Sequence, residues 1–298
     1  MIRKLLVPTD ASPLSERAVP IAIEIAATHH AEIELVQVVQ YLSWLDMGVG
    51  VEGYVDPTIY QEVMDALDEG ARRNLQTLAA RARGRGVPAE ENLLHGSPGA
   101  ALLEFEAESR PDLVVMATHG RTGLARFARG SVADLLVRQG TAPVLLVPSF
   151  GPQPTTLKRA VVPLDGSALA EEAVPMVEAL ALKPLTHAHL CQAVDSDEER
   201  HDAVEYLARM AGRLRLSGLD VTIGTAVGPA HEVIAMIADG TDVVIMATHG
   251  RGGYDRFRHG SVAERLLREV TQPILLVRAA EPRVEEKELV SAMLTAGS

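Results

Sequence analysis

Two stretches of this chain carry residue types that could hold an anion, and they are nearly the same stretch written twice. The first reads Val114-Val115-Met116-Ala117-Thr118-His119-Gly120-Arg121, continues to Arg129 and closes with Gly130-Ser131. The second runs from Val244 through Ala247, His249, Gly250 and Arg251 and closes with Gly260-Ser261. In each, an apolar run typical of a buried parallel strand gives way to a small glycine loop, and the Gly-Ser pair opens a helix. Loop N–H groups that a ligand can approach closely, followed by the partial positive charge of a helix N-terminus, are what phosphate needs. Arg121, Arg126 and Arg129 lie in the first loop without a carboxylate, and Arg251, Arg256 and Arg258 in the second meet only Asp255. Small basic patches of this kind suit a small anion.

The same residues also have plainer roles. Ser131 and Ser261 are each followed three residues later by an acid, Asp134 and Glu264, so a capping box alone would account for them. Gly120 and Gly130 would serve as turn glycines, His119 and His249 as loop histidines bonded to backbone, and Arg121 and Arg251 as solvated charges.

Other constellations fall short of a site. Gly48-Val49-Gly50-Val51-Glu52-Gly53 fits a dinucleotide pattern but lies several residues beyond the strand it should follow. His187, His189 and Cys191 alternate on one face of a strand without an evident fourth metal ligand. His231-Glu232 begins a zinc-protease pattern that Ala235 breaks. There is no G-x-x-x-x-G-K-[ST] loop, no G-x-S-x-G elbow and no paired carboxylates at readable spacing, so no catalytic residue is assigned.

The elements that must position these loops read as strands alternating with helices. Strands are expected at 4–7, 33–39, 91–94, 112–116 and 144–147, with helices at 15–28, 57–83, 99–108 and 131–139. Alternation of this kind gives an α/β class with a doubly wound parallel sheet. The order then repeats: Asp165 answers Asp10 at an offset of 155, and Gly250 answers Gly120 at an offset of 130. The first copy therefore carries a net 25 extra residues, placed mostly within 40–70, with Trp44, Tyr41, Tyr54 and Tyr60 among them. That insertion reads as a packed surface loop, with a lid over one site or a dimer contact as the functional alternatives. The expected units are a first domain at 1–148, a proline-containing linker at 149–157, a second domain at 158–278 and a polar tail at 279–298.

Composition sets the outer bounds. A chain of 298 residues suits two domains at roughly 150 residues each. Apolar residues make up 47% and aromatic ones only 3%, so the core must be aliphatic. A net charge of −12 argues against a general affinity for nucleic acid or anionic membrane. One cysteine, Cys191, forms no intrachain disulfide, and with no signal-like or membrane-length apolar run a reducing cytoplasm is the expected compartment.

With its loops and repeat in view, the chain resembles the universal stress protein family, two domains in tandem over nearly its whole length. The family's nucleotide signature is a small residue, two residues, Gly, nine residues, then Gly-Ser or Gly-Thr. It is matched by Ala117, Gly120 and Gly130-Ser131, and again by Ala247, Gly250 and Gly260-Ser261, with Ala where the strictest form has Gly. The resemblance implies two repeats of a five-stranded parallel sheet in the order 3-2-1-4-5 with helices on both faces. It also implies ATP, with or without Mg2+, as the ligand. Asp10 and Asp165 at the ends of the first strands, and Val38 and Ala193 on the second, match family positions around the nucleoside. Gly96 and Gly228, after the third strands, match a Gly-x-Pro-like loop.

In such a sheet the winding reverses between strands 1 and 4, and ligands sit at that switch point beyond the carboxyl ends of the strands. An aspartate there repels a triphosphate unless it accepts from the sugar or base or binds a metal, which puts Asp10 and Asp165 on the nucleoside side. For assembly, the resemblance implies that the two fifth strands pair edge to edge within the chain, an intrachain pseudo-dimer, with association of two chains into a homodimer expected beyond that. The leading functional expectation is an ATP-binding stress-response module. The alternatives are a nucleotide-free interaction protein of the same fold, or a weak ATPase or autophosphorylating protein.

Overall fold

The computed structural model describes residues 2–40, 57–118, 131–152, 155–181, 183–248 and 261–278. The first repeat runs β1 (Lys4–Thr9), a 3-10 turn (Ser15–Ala18), α1 (Val19–His29), β2 (Glu32–Val39), α2 (Pro57–Arg83), β3 (Ala89–His95), α3 (Pro98–Ser109), β4 (Leu113–Ala117), α4 (Ser131–Gln139) and β5 (Val144–Val147). The second runs β6 (Arg159–Pro163), α5 (Ala168–Glu171), α6 (Val174–Leu180), β7 (His187–Val194), a 3-10 turn (Asp197–Glu199), α7 (Arg200–Leu216), β8 (Asp220–Val227), α8 (Ala230–Ala238), β9 (Val243–Thr248), α9 (Ser261–Glu269) and β10 (Ile274–Arg278).

The strands form one ten-stranded sheet in the order β3-β2-β1-β4-β5-β10-β9-β6-β7-β8. Each half has the expected 3-2-1-4-5 order with parallel ladders. The halves meet through the antiparallel pairing of β5 with β10, Leu145 opposite Leu275 at its centre. Alternation along each strand sends neighbours to opposite faces. Leu5, Val7 and Leu35 pack under α1 and α2, joined by Val162, Val177 and Leu207 of the second half. Leu6, Val114 and Leu146 pack under α3 and α4, joined by Val161, Val244, Ile234 and Leu266. Both cores therefore run across the β5–β10 seam. Among the described residues no helix is long and apolar enough to cross a membrane.

Several elements differ from the sequence expectation for identifiable reasons. The expected helix at 15–28 is broken into a 3-10 turn and α1, because Pro20 lacks an N–H and its ring would crowd the carbonyl four residues back. Pro175 does the same between α5 and α6. β3 extends to Ala89–His95 because an edge strand is half solvated and its outer residues, Glu90 and Glu91, hide the period. In α2, Met64, Ala71 and Leu75 are buried, while Leu67 faces outward.

What opens each switch point is also local. Asp112 receives the Arg3 and Lys4 N–H groups on one carboxylate oxygen at 2.7 and 3.1 Å, clasping β1 to β4 at their starts. Asp242 receives those of Lys158 and Arg159 at 2.9 and 2.8 Å in the same way. Above these clasps the ladders stop early, at Leu6 opposite Val114 and at Val161 opposite Val244. The Asp112 N–H reaches the Lys4 carbonyl at 2.9 Å, so the even residues of β1 face β4, and Pro8 turns its missing donor to that side. By the Asp242 N–H on the Arg159 carbonyl, 2.9 Å, Pro163 does the same toward β9. A proline at that point cannot extend the ladder, and the strands part beyond it.

Candidate functional site

The chain leaving β1 is held by a small buried network. Thr9, Ser12 and Ser15 are all buried. Thr9 Oγ1 and Ser15 Oγ lie 3.1 Å apart, the Asp10 N–H donates to Ser15 Oγ at 3.3 Å, and Ser15 Oγ donates to the Ser12 carbonyl at 2.9 Å. The Ser15 N–H donates to Ser12 Oγ at 3.1 Å, and the Ala11 N–H to Thr9 Oγ1 at 3.2 Å. Within this frame the Ser12 N–H donates to Asp10 Oδ1 at 2.9 Å, which fixes the half-buried carboxylate. Ala11 sits at φ 60°, a left-handed conformation that a side chain with a Cβ adopts only when its surroundings impose it. None of these hydroxyls was singled out from the sequence. The available signal was Thr9, Ser12 and Ser15 spaced three apart around Asp10.

Neighbouring strands deliver the other described candidates to the same end of the sheet. Thr9 pairs with Gln37, so Val38 lies one step beyond on β2, half-buried. Gly96 follows β3 at φ 117°, its N–H on the Val39 carbonyl at 3.0 Å, and a Cβ there would meet no atom within 4 Å. That leaves open space against bare backbone, which is what a ligand's close approach requires. Beside it, His95 Nε2 lies 2.8 Å from Asp68 Oδ1. Ala117 ends β4, buried, and the Thr118 N–H bonds the Val147 carbonyl at 2.9 Å.

The second repeat brings Asp165, Ala193, Gly228 and Ala247 to the corresponding places. Gly228 has φ 144° and its N–H on the Val194 carbonyl at 3.1 Å, reproducing Gly96. Asp165 differs from Asp10: it is exposed, and its Oδ1 accepts both the Ser167 N–H at 2.9 Å and the Ser167 hydroxyl at 2.6 Å. Ser131 and Ser261 open α4 and α9. His119, Gly120, Arg121, Gly130, His249, Gly250, Arg251 and Gly260 lie outside the described residues, as does 41–56 with Trp44.

The histidine and cysteine patterns take structural places. His189 Nδ1 is 2.8 Å from Thr222 Oγ1, and burial lowers its pKa. Cys191 is buried in the core and its thiol is pushed up to about 12. His231 lies beside Arg265 at 3.4 Å. Among the described residues no three His, Cys, Asp or Glu side chains gather where a metal would sit.

The model of the universal stress protein family matches residues 1–148 and again 156–278. A universal stress protein of Mycobacterium tuberculosis is 28% identical over 235 residues, 71% of this chain and 77% of that protein. The crystal structure of a universal stress protein from Archaeoglobus fulgidus aligns over 93% of this chain and 98% of its own, with a TM-score of 0.71 and 18% identity. A family protein from Arabidopsis thaliana, solved with AMP bound, covers 49% of this chain and 90% of its own, at 20% identity and a TM-score of 0.34.

Proposed function

Because the chain belongs to the universal stress protein family, we propose that it is a nucleotide-dependent regulatory module of the stress response. It binds an adenine nucleotide, ATP with or without Mg2+, in the crevice of each repeat. The observation that carries this reading is the convergence of Asp10, Val38, Gly96 and Ala117 at the carboxyl ends of four adjacent strands, where β1 and β4 part. Asp165, Ala193, Gly228 and Ala247 repeat that convergence. A crevice at a topological switch point is where open α/β sheets take their ligands.

In this reading Asp10 and Asp165 accept hydrogen bonds from the nucleoside, and the backbone at Val38 and Ala193 borders the base. Gly96 and Gly228 let the ligand approach main chain. The triphosphate lies on the loops of His119, Gly120 and Arg121 and of His249, Gly250 and Arg251, ending at Gly130-Ser131 and Gly260-Ser261, where the first N–H groups of α4 and α9 have no intrahelical partner. With no cluster of metal ligands among the described residues, Mg2+ would travel with the phosphates.

The test is equilibrium titration of the nucleotide-stripped chain with ATP, alone and with Gly120→Val and Gly250→Val. Loss of one site in each variant supports the reading. A chain that binds no ATP while keeping its fold would instead be an interaction protein, and phosphate release abolished by the same variants would make it a weak ATPase.

A further inference from the structure

The two repeats build the loop after their first strand from different parts. At an offset of 155, Thr9, Ala11 and Ser15 become Leu164, Gly166 and Ala170, while Asp10 and Ser12 keep their types as Asp165 and Ser167. The buried network of three hydroxyls is thereby reduced to one, since Leu164 is buried apolar core and Ala170 offers only its N–H, which donates to Ser167 Oγ at 3.1 Å. The left-handed position is kept in both: Ala11 has φ 60° and Gly166 has φ 85°. Alanine stays there only because the hydroxyl network imposes it, whereas glycine visits it freely and visits much else as well. The carboxylates differ accordingly, Asp10 half-buried in a fixed frame and Asp165 exposed with one oxygen taken by both donors of Ser167.

We propose that the two crevices are graded: the first repeat binds nucleotide tightly on a loop already set in its bound shape, and the second binds more weakly on a loop that must be ordered. This rests on the nucleotide-binding reading above. Ordering a glycine loop and detaching the Ser167 hydroxyl from Asp165 are both costs of binding that the first repeat has met on folding. The chain then fills in two steps, one nucleotide at low concentration and a second at higher concentration. It reports nucleotide level over a wider range than two equal sites would.

The experiment is calorimetric titration of the full, nucleotide-stripped chain with ATP. Two classes of site are expected, separated by about tenfold or more, the worth of roughly one ordered hydrogen bond and one freed glycine. Asp10→Asn should weaken the tight class and Asp165→Asn the weak one. Ala11→Gly should weaken the tight class about twofold to fivefold while the melting temperature holds or rises. A purely structural role for Ala11 would leave the affinity where it was. In the other direction, Leu164→Thr with Gly166→Ala and Ala170→Ser should tighten the weak class toward the strong one. If that triple variant does not fold, the single variants still decide the matter. Two equal classes, or loss of the tight class on Asp165→Asn, overturn the grading and leave nucleotide binding intact. No ATP binding by the native chain overturns both.

Discussion

Glu106 offers a quantitative check on how the first repeat is held together. It lies on α3, only 2% exposed, and its Oε1 accepts three hydrogen bonds from the turn joining α4 to β5. These come from the Thr141 N–H at 2.7 Å, the Thr141 hydroxyl at 3.0 Å and the Ala142 N–H at 2.7 Å. The turn leads directly into β5, the strand that pairs with β10, and Arg278 of β10 also donates to it, at the Gly140 carbonyl. Replacing Glu106 by Ala strands two backbone donors and a hydroxyl in a partly buried turn. At about 1.5 kcal/mol for each hydrogen bond to the charged carboxylate, with some recovered by water, the loss is about 3 kcal/mol. For a chain of 298 residues that lowers the melting temperature by roughly 5 °C. Glu106→Gln keeps an acceptor in place and should lose about a third to a half of that. An exposed residue of α8 serves as the control: Met236 is 66% exposed, and Met236→Ala should shift the midpoint by about 1 °C at most. The assay is thermal denaturation followed by circular dichroism at fixed pH and salt. A Glu106→Ala midpoint within about 1 °C of the native one would refute the reasoning.

Further outcomes follow from the sheet edges, two half-buried histidines and the thiol. The Asp220 N–H bonds the Thr186 carbonyl at 3.0 Å, so even residues of β8 face β7 and odd ones face outward; Arg215 and Arg200 cover the outward carbonyls of Val221 and Thr225 at 2.6 and 3.0 Å. Arg200→Ala with Arg215→Ala should bare that edge and promote association, seen as higher mass in light scattering at increasing concentration. Burial lowers the pKa of His29 and His189, so the folded chain binds fewer protons than the unfolded one near pH 6. Their contribution is therefore present above about pH 6.5 and lost as pH falls through the lowered folded values. The denaturant midpoint should drop between pH 7.5 and 5.5, and the drop should shrink in His29→Gln with His189→Gln. Cys191, buried with its thiol pushed up to about 12, should resist a disulfide reagent in the native chain at pH 8 and react at once in denaturant.

Much of this architecture is legible along the sequence because its signals are local. Runs such as 144–147 and 274–277 are too apolar to be anything but doubly covered strands, and the loops from Ala117 and Ala247 declare the repeat by their spelling. The order of the strands and the β5–β10 seam came from family resemblance, since pairing between distant strands leaves no trace in either strand alone. What stayed hidden is of two kinds. One is long-range polar contact: Asp112 clasping Arg3 and Lys4, or Glu106 holding a turn thirty-five residues away, looks like any surface acid until the chain is folded. The other is small residues whose effect depends on a neighbour's conformation. Thr9, Ser12 and Ser15 read as ordinary loop polars, and only the φ of Ala11 shows that together they impose a shape. Prolines fell between the two. Pro8 lies beyond the strand expected at 4–7 yet inside β1, and with Pro163 at the end of β6 it marks where β1 and β6 let go of β4 and β9.

The central claim is that each repeat is built to hold an adenine nucleotide, and acid extraction of the freshly purified native chain tests it most directly. The released material is identified and counted per chain, then compared with Gly120→Val and Gly250→Val. The expected result is adenine nucleotide at one to two per chain, falling in each variant, and more steeply in Gly120→Val. A native chain that releases none, and then takes up none when ATP is added, would contradict the claim.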